Sequence, residues 1–331
     1  MAIDRPGGIR PGRDIGKGSH LMQEHTSDSN RISEKVSRRR FIGTTLAGAG
    51  AFVGGVNWVE ARSSKTAGAV DMVTLGKTGI KTSRLAQGTG WNGGARSSAH
   101  VRLGEKVLCN LIRHSLDHGV RLMDAADLYG SHRYVRKALD GVSRDKYELL
   151  SKIWPREEFW NMPSGGAKEE VNRFRKELNS EVIDICLIHC MTDTNWPQQY
   201  ERVRDELSAM KEQGAVRAVG VSCHDFGALK VAAEHPWVDV ILARINNAGK
   251  SAHMDGTVEE VSSVLKKARA NGKTIIGMKI FGAGKLVKPE QKNSSLKYVF
   301  DNELVDAITI GMMDTQEVND TVKRLNAAVK A

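Results

Sequence analysis

The chain has 331 residues, 40% of them hydrophobic and only 7 proline, so it can bury a full-sized core and is not a proline-rich disordered polymer. Its 49 Lys and Arg exceed its 39 Asp and Glu by ten, yet residues 1–70 hold 11 of the bases and 6 of the acids, half of the excess in about one fifth of the chain. The remainder is spread over the body without a Lys/Arg cluster interleaved with aromatics, which argues against a nucleic-acid partner and leaves anionic substrates or cofactor phosphates.

Residues 1–35 are polar and glycine-rich and read as a disordered extension. Residues 36–69 read as a leader. Ser37-Arg38-Arg39-Arg40-Phe41-Ile42 precedes an uncharged, weakly apolar run from Gly43 to Val59, and small residues follow at Val59-Glu60-Ala61 and Ala67-Gly68-Ala69. That is the layout of a twin-arginine signal, which implies the twin-arginine export machinery as a partner and a periplasmic or other extracytoplasmic location. Contact with the membrane is then transient. The alternative is an uncleaved membrane anchor, which the five glycines of the run (Gly43, Gly48, Gly50, Gly54, Gly55) disfavour as a spanning helix.

After the leader, two short strand-like runs flank Leu75-Gly76-Lys77-Thr78-Gly79, a hairpin suited to plug the bottom of a barrel. From Leu85 onward, short apolar runs alternate with amphipathic segments eight times. The expected strands are 84–88, 120–124, 147–152, 183–189, 216–222, 238–244, 274–279 and 307–311. The expected helices are 104–118, 131–139, 167–179, 197–213, 226–234, 257–270, 294–301 and 314–330. Eight such units make a parallel sheet that closes, so residues 70–331 are expected to form an α/β (β/α)8 TIM barrel with an N-terminal β-hairpin. Gly119, Gly214 and Gly272 each follow a helix where a left-handed cap is wanted, and Asp314 opens the last helix with Glu317 three residues on, as in a capping box. The long loops, 159–166 and 247–256, both follow strands and so belong to the catalytic face.

In a barrel the carboxyl ends of the strands share one mouth. Asp124 ends the second strand, and Tyr129 follows five residues later on the departing loop. Lys152 ends the third strand, His189 the fourth, Ser222 and Cys223 the fifth, and Lys279 the seventh. A lysine at the end of an apolar strand needs a carboxylate, and Asp124 on the neighbouring strand supplies it. An ammonium beside Tyr129 is expected to lower the phenol pKa and make it a better proton donor. His189 then orients a carbonyl or shares the proton. The four cysteines, Cys109, Cys186, Cys190 and Cys223, lack CxxC spacing. His189-Cys190 and Cys223-His224 leave open a zinc site or a Cys190–Cys223 disulfide, although alternation along a strand lets only one residue of each pair face the mouth. The main expectation is no metal.

At these residues the body resembles the aldo-keto reductases. Met72-Val73-Thr74-Leu75-Gly76-Lys77-Thr78-Gly79-Ile80 is similar to that family's opening, and Asp124-Ala125-Ala126-Asp127-Leu128-Tyr129-Gly130 to its DxAxxYG signature. Ser151-Lys152, Leu187-Ile188-His189 and Gly220-Val221-Ser222 are similar to its third, fourth and fifth strands. The resemblance spans residues 71–331. It implies Tyr129 as general acid/base, Asp124 and Lys152 as the pair that tunes it, His189 as the group that orients the carbonyl, and NADP or NAD as the hydride carrier. It further implies Gly88, Thr89, Ser222, Cys223, Lys279, Gly311 and Asp314 around the cofactor, and Trp91, Trp154 and Arg244 around a small carbonyl or sugar-type substrate. Such a family member is an NAD(P)-dependent oxidoreductase.

Three departures qualify this. Where the family often has an arginine for the 2′-phosphate of NADP, the position reads as Asp314, which tilts the choice toward NAD, while Lys279 or Lys285 remains available to a phosphate. In the sixth strand the family's usual glutamine and aromatic platform for the nicotinamide are replaced within Leu242-Ala243-Arg244-Ile245-Asn246, where Arg244 is available to a phosphate, an anionic substrate or a rim salt bridge. The long C-terminal loop that lids many members is missing, which suits a bulky substrate such as a glycoside. Export adds two further readings: a tightly held cofactor recycled internally, or a non-catalytic cofactor-binding regulatory module.

Overall fold

The computed structural model describes residues 70–156 and 166–330. The expected extension, the leader and residues 159–165 of the first long loop lie outside the described residues.

The hairpin pairs β1 (Met72–Thr74) antiparallel to β2 (Lys81–Ser83), with Val73 opposite Thr82. Eight parallel strands then close into a barrel: β3 (Leu85–Gly88), β4 (Leu122–Asp124), β5 (Glu148–Ile153), β6 (Ile183–Met191), β7 (Val216–Cys223), β8 (Val240–Arg244), β9 (Thr274–Met278) and β10 (Ala307–Ile310). Closure is made by β10 on β3, with Thr309 opposite Ala86. The helices are α1 (Ala99–Arg102), α2 (Glu105–Asp117), α3 (His132–Ala138), α4 (Ala167–Leu178), α5 (Trp196–Gln199), α6 (Glu201–Glu212), α7 (Phe226–Glu234), α8 (Val258–Ala270), α9 (Pro289–Asp301) and α10 (Thr315–Lys330).

Strand alternation sorts the apolar residues into two cores. The inner one fills the barrel with Ala86, Leu122, Leu150, Ile185, Leu187, Ala218, Val240, Leu242, Ile276 and Ala307. Leu75 and Ile80 of the hairpin belong to this inner cluster, so the hairpin does plug the floor. The outer core lies between sheet and helices and takes the residues of opposite parity, such as Met123, Leu149, Cys186, Val221 and Ile308. Gly119, Gly214 and Gly272 adopt φ of 80°, 75° and 81° after α2, α6 and α8, which is where an L side chain would be strained.

Two helices differ from expectation. The segment expected as one helix over 197–213 breaks at Tyr200, where Trp196 anchors the separate turn of α5 in the core and Arg204 Nε donates to the Pro197 carbonyl at 2.9 Å. Helix α9 begins at Pro289 rather than 294, because a proline at the first helical position needs no N–H partner and presets φ. Among the described residues no helix is long and apolar enough to cross a membrane.

Candidate active site

The inward-facing register carries past the apolar layers into a polar one at the carboxyl ends. Asp124 and Lys152 sit in this layer on adjacent strands, and Lys152 is fully buried. The ammonium donates to Asp124 Oδ1 and, at 2.9 Å, to the carbonyl of Ala125. It also lies 4.9 Å from the centre of the Tyr129 ring. Burial opposes its charge, but Asp124 and Tyr129 outweigh burial and hold Lys152 above the usual lysine value.

Tyr129 closes a 3₁₀ turn over Asp127–Tyr129, and its hydroxyl is 3.3 Å from His189 Nε2. Asp127 fastens that turn by accepting from Arg96 at 3.0 Å and from Arg173 at 2.8 Å. Two glycines of the loop after β3 make room for the ring. A Cβ at Gly90 would stand 2.2 Å from Tyr129 Cε2, and one at Gly93 2.7 Å from Cδ1. The expected lowering of the phenol pKa is not the net result. Burial raises it, and Lys152 only offsets part of that rise. His189 is held well below the usual histidine value by burial and by Lys152, His224 and Arg156, so it is neutral. Trp154 packs edge-on to His189 at 5.5 Å between centroids.

A cleft of about 310 Å³ runs from Asp124 and Tyr129 past Gly88, Gly311 and Lys279 to Met313, Glu317 and Thr321. Its walls include Leu242, Met278 and Ile280, and Trp91, 42% exposed, stands at the mouth. Lys279 adopts φ 59° at the end of β9 and is drawn down in pKa by burial and then by Arg244. Among the described residues no carboxylate pairs with it. A cleft with apolar walls that holds both a phenol and a half-buried cation suits an organic cofactor that carries phosphate.

The structure therefore brings Asp124, Tyr129, Lys152 and His189 together and puts Gly88, Gly311, Lys279 and Trp91 on the adjoining cleft. Other expected residues sit elsewhere. Asp314 is exposed and caps α10, its Oδ1 accepting from the Glu317 N–H at 2.8 Å, while Glu317 Oε2 accepts from the Met313 N–H at 2.8 Å. It is Glu317, one turn on, that lines the cleft. Cys223 has the outward parity and packs in the outer core. Ser222 is buried with its Oγ accepting from the Cys190 N–H at 2.7 Å. Thr89 ties β3 to β4, donating to the Asp124 carbonyl at 2.9 Å. Arg244 donates to Asp255 at 2.8 Å and to His224 Nδ1 at 2.5 Å, a rim cluster in which burial holds Asp255 up at about 6 and His224 down at about 3. All four cysteines are free thiols, so no Cys190–Cys223 disulfide forms. Metal-type donors do gather at Asp127, His132 and Glu177, but both His132 nitrogens are engaged, by Glu177 at 2.7 Å and Ser151 at 2.8 Å, and Arg173 bridges the two carboxylates.

Sequence reasoning missed Gly90, Gly93, Glu317 and Thr309. For Thr309 a signal existed: it is two residues from inward-facing Ala307, and its Oγ1 donates to Asp124 Oδ2 at 2.7 Å.

The profile of the "Aldo/keto reductase family" matches residues 88–330. Aldo-keto reductase YhdN of Bacillus subtilis is 30% identical over 164 residues, covering 46% of this chain and 47% of that protein. The NADH-specific methylglyoxal reductase of Escherichia coli is 24% identical over 189 residues, covering 52% and 58%. The chain thus spans about half the length of the curated relatives it matches. Among solved structures, a putative aldo-keto reductase from Pseudomonas aeruginosa superposes with a TM-score of 0.64 at 21% identity, covering 78% of this chain and 95% of that one. An aldo/keto reductase from Klebsiella pneumoniae in complex with NADP and acetate gives 0.56 at 16%, covering 78% and 90%. With the profile matched over most of its length, the chain belongs to the aldo/keto reductase family.

Proposed function

We propose that the protein is a nicotinamide-dependent oxidoreductase that interconverts a small carbonyl and its alcohol, with Tyr129 as general acid/base. The observation that carries this reading is the fully buried Lys152, paired to Asp124 and set 4.9 Å from the Tyr129 ring beside the cleft. When bound, the dinucleotide supplies or accepts the hydride. In the reducing direction the Tyr129 hydroxyl gives its proton to the carbonyl oxygen, and the phenolate left behind is stabilised by the Lys152 ammonium. Neutral His189 fixes the oxygen by hydrogen bonding from the other side. Trp91 offers an apolar face at the mouth for the substrate, and Lys279 a cation for the cofactor's phosphates.

The far end of the cleft supports NAD rather than NADP. With the reacting ring at Tyr129, the adenosine end extends toward Met313, Glu317 and Thr321. There the Met313 and Glu317 amides at the start of α10 already donate to Glu317 and Asp314, and the Glu317 carboxylate on the cleft repels a 2′-phosphate. Relatives named methylglyoxal reductases support a small, polar carbonyl as the substrate class. The leader motif at Arg38-Arg39-Arg40 supports export, and in that setting a tightly held, internally recycled cofactor suits the reading.

The test is nucleotide binding to the purified protein by fluorescence, together with mass spectrometry of whatever nucleotide it releases on denaturation. NADH is expected to bind at least ~10-fold tighter than NADPH, about 1.4 kcal/mol, and Glu317→Arg to reverse the order. Failure to bind either nucleotide sinks the function; tighter NADPH binding sinks only the cofactor choice.

A further inference from the structure

We propose that Thr309 is a positioning residue for the proton-transfer site, reaching from β10 to hold the Asp124 carboxylate with its other oxygen on Lys152. The proposal rests on the function proposed above, because it assigns a task within that site.

Strands β10 and β4 are not neighbours; β3 runs between them. Thr309 stands opposite Ala86, and Asp124 opposite Gly88. The inward positions of β3 in these layers are therefore alanine and glycine, which leave an open path above the strand. Through it Thr309 Oγ1 donates to Asp124 Oδ2 at 2.7 Å, while Oδ1 accepts from Lys152. Both residues are buried. A threonine in the terminal layer of an otherwise apolar strand, Ala307 to Ile310, brings a hydroxyl where a valine of the same shape would pack as well. Its hydroxyl therefore has a task that packing does not explain.

That task is to fix the carboxylate. A carboxylate held at one oxygen only is free to rotate about its terminal torsion, which is broad. Held at both, it keeps Oδ1 on Nζ, and so keeps the ammonium charged and directed at Tyr129. The titratable groups that face Lys152 are Asp124 on β4, Tyr129 on the turn after it, His189 on β6 and His224 beyond β7, while Cys186 lies near it on the outer face of β6. Asp124 is the acidic member that supports the ammonium, and burial alone would discharge it. Loosening Asp124 lets Lys152 give up its proton at lower pH.

The experiment compares Thr309→Val and Thr309→Ser with the wild-type enzyme, using methylglyoxal as the carbonyl probe and circular dichroism as the check on folding. Thr309→Val is expected to lower kcat about tenfold with KM within twofold, and to move the basic limb of the reduction pH profile to lower pH. Thr309→Ser, which keeps the hydroxyl, is expected to restore both. NADH affinity is expected to stay within twofold in either variant. Wild-type kcat and an unmoved basic limb in Thr309→Val overturn the assignment, as does an equal loss in Val and Ser or a loss that follows NADH affinity. A wild-type protein that binds no nucleotide and turns over no carbonyl overturns the function itself, an outcome distinct from these.

Discussion

Replacing Lys152 with methionine separates what the buried pair does for stability from what it does for chemistry. Lys152 has no exposed surface and the Asp124 side chain is 8% exposed, so removing the ammonium strands a carboxylate in the barrel with, among the described residues, Thr309 as its remaining side-chain partner. Breaking a buried pair from one side costs about 3–5 kcal/mol, and the apolar methionine returns part of that through packing. Lys152→Met alone is therefore expected to lose roughly 3 kcal/mol in urea unfolding. The double variant Lys152→Met/Asp124→Asn buries no charge and keeps an acceptor for Thr309, so it should recover most of the loss. Turnover, followed by nicotinamide absorbance with methylglyoxal, should fall by about 10²–10⁴ in both variants, because neither holds a cation beside Tyr129. If the single variant is as stable as the double, the carboxylate is not stranded and the pairing argument is wrong. If either retains wild-type turnover, the role given to Lys152 is wrong.

Two further predictions rest on different parts of the molecule. Gly90→Ala places a Cβ 2.2 Å from the Tyr129 ring, so the phenol must shift; kcat should drop at least ~10-fold while unfolding free energy changes little, and unchanged kcat would show that the ring is not held by this loop. Acid should destabilise the barrel through its buried neutral histidines, His100 held down at about 4, His224 at about 3, and His189 well below the usual value. Their folded pKa values lie below the unfolded value of about 6.5, so the stability they confer is complete above that pH. It drains away as the pH falls below about 6.5 and only the unfolded chain takes up protons, down to about pH 4 for His100 and about pH 3 for His224. The His100 share is roughly 3 kcal/mol, and urea midpoints for His100→Gln should fall less steeply across that window.

Periodicity made the barrel legible in the chain. Each strand is a short apolar run and each helix a longer amphipathic one, and the glycines at 119, 214 and 272 mark the helix ends through a backbone conformation that side chains resist. The hairpin was legible for the same reason. The break at Tyr200 was not, because it depends on Trp196 finding a place in the core and Arg204 reaching the Pro197 carbonyl. Cys223 shows a parity error of one residue. It ends an inward-looking strand by position, yet alternation turns its thiol into the outer core.

The local sequence by itself determined which residues lie near the carboxyl ends of strands, and so that Asp124, Lys152 and His189 share a mouth with Tyr129. That follows from the two-residue strand period and the rule that parallel βα units present one end. Tertiary structure alone decided how those residues are held and what the cofactor end looks like. The Gly90 and Gly93 seat beneath Tyr129 and the Thr309 bond across β3 join positions from 36 to 185 residues apart, and the place of Glu317 rather than Asp314 on the cleft depends on a helix cap. The long-range contacts have no spacing that a chain could display. They exist because barrel closure brings β10 beside β3, and because the first turn of α10 spends Asp314 on its own backbone.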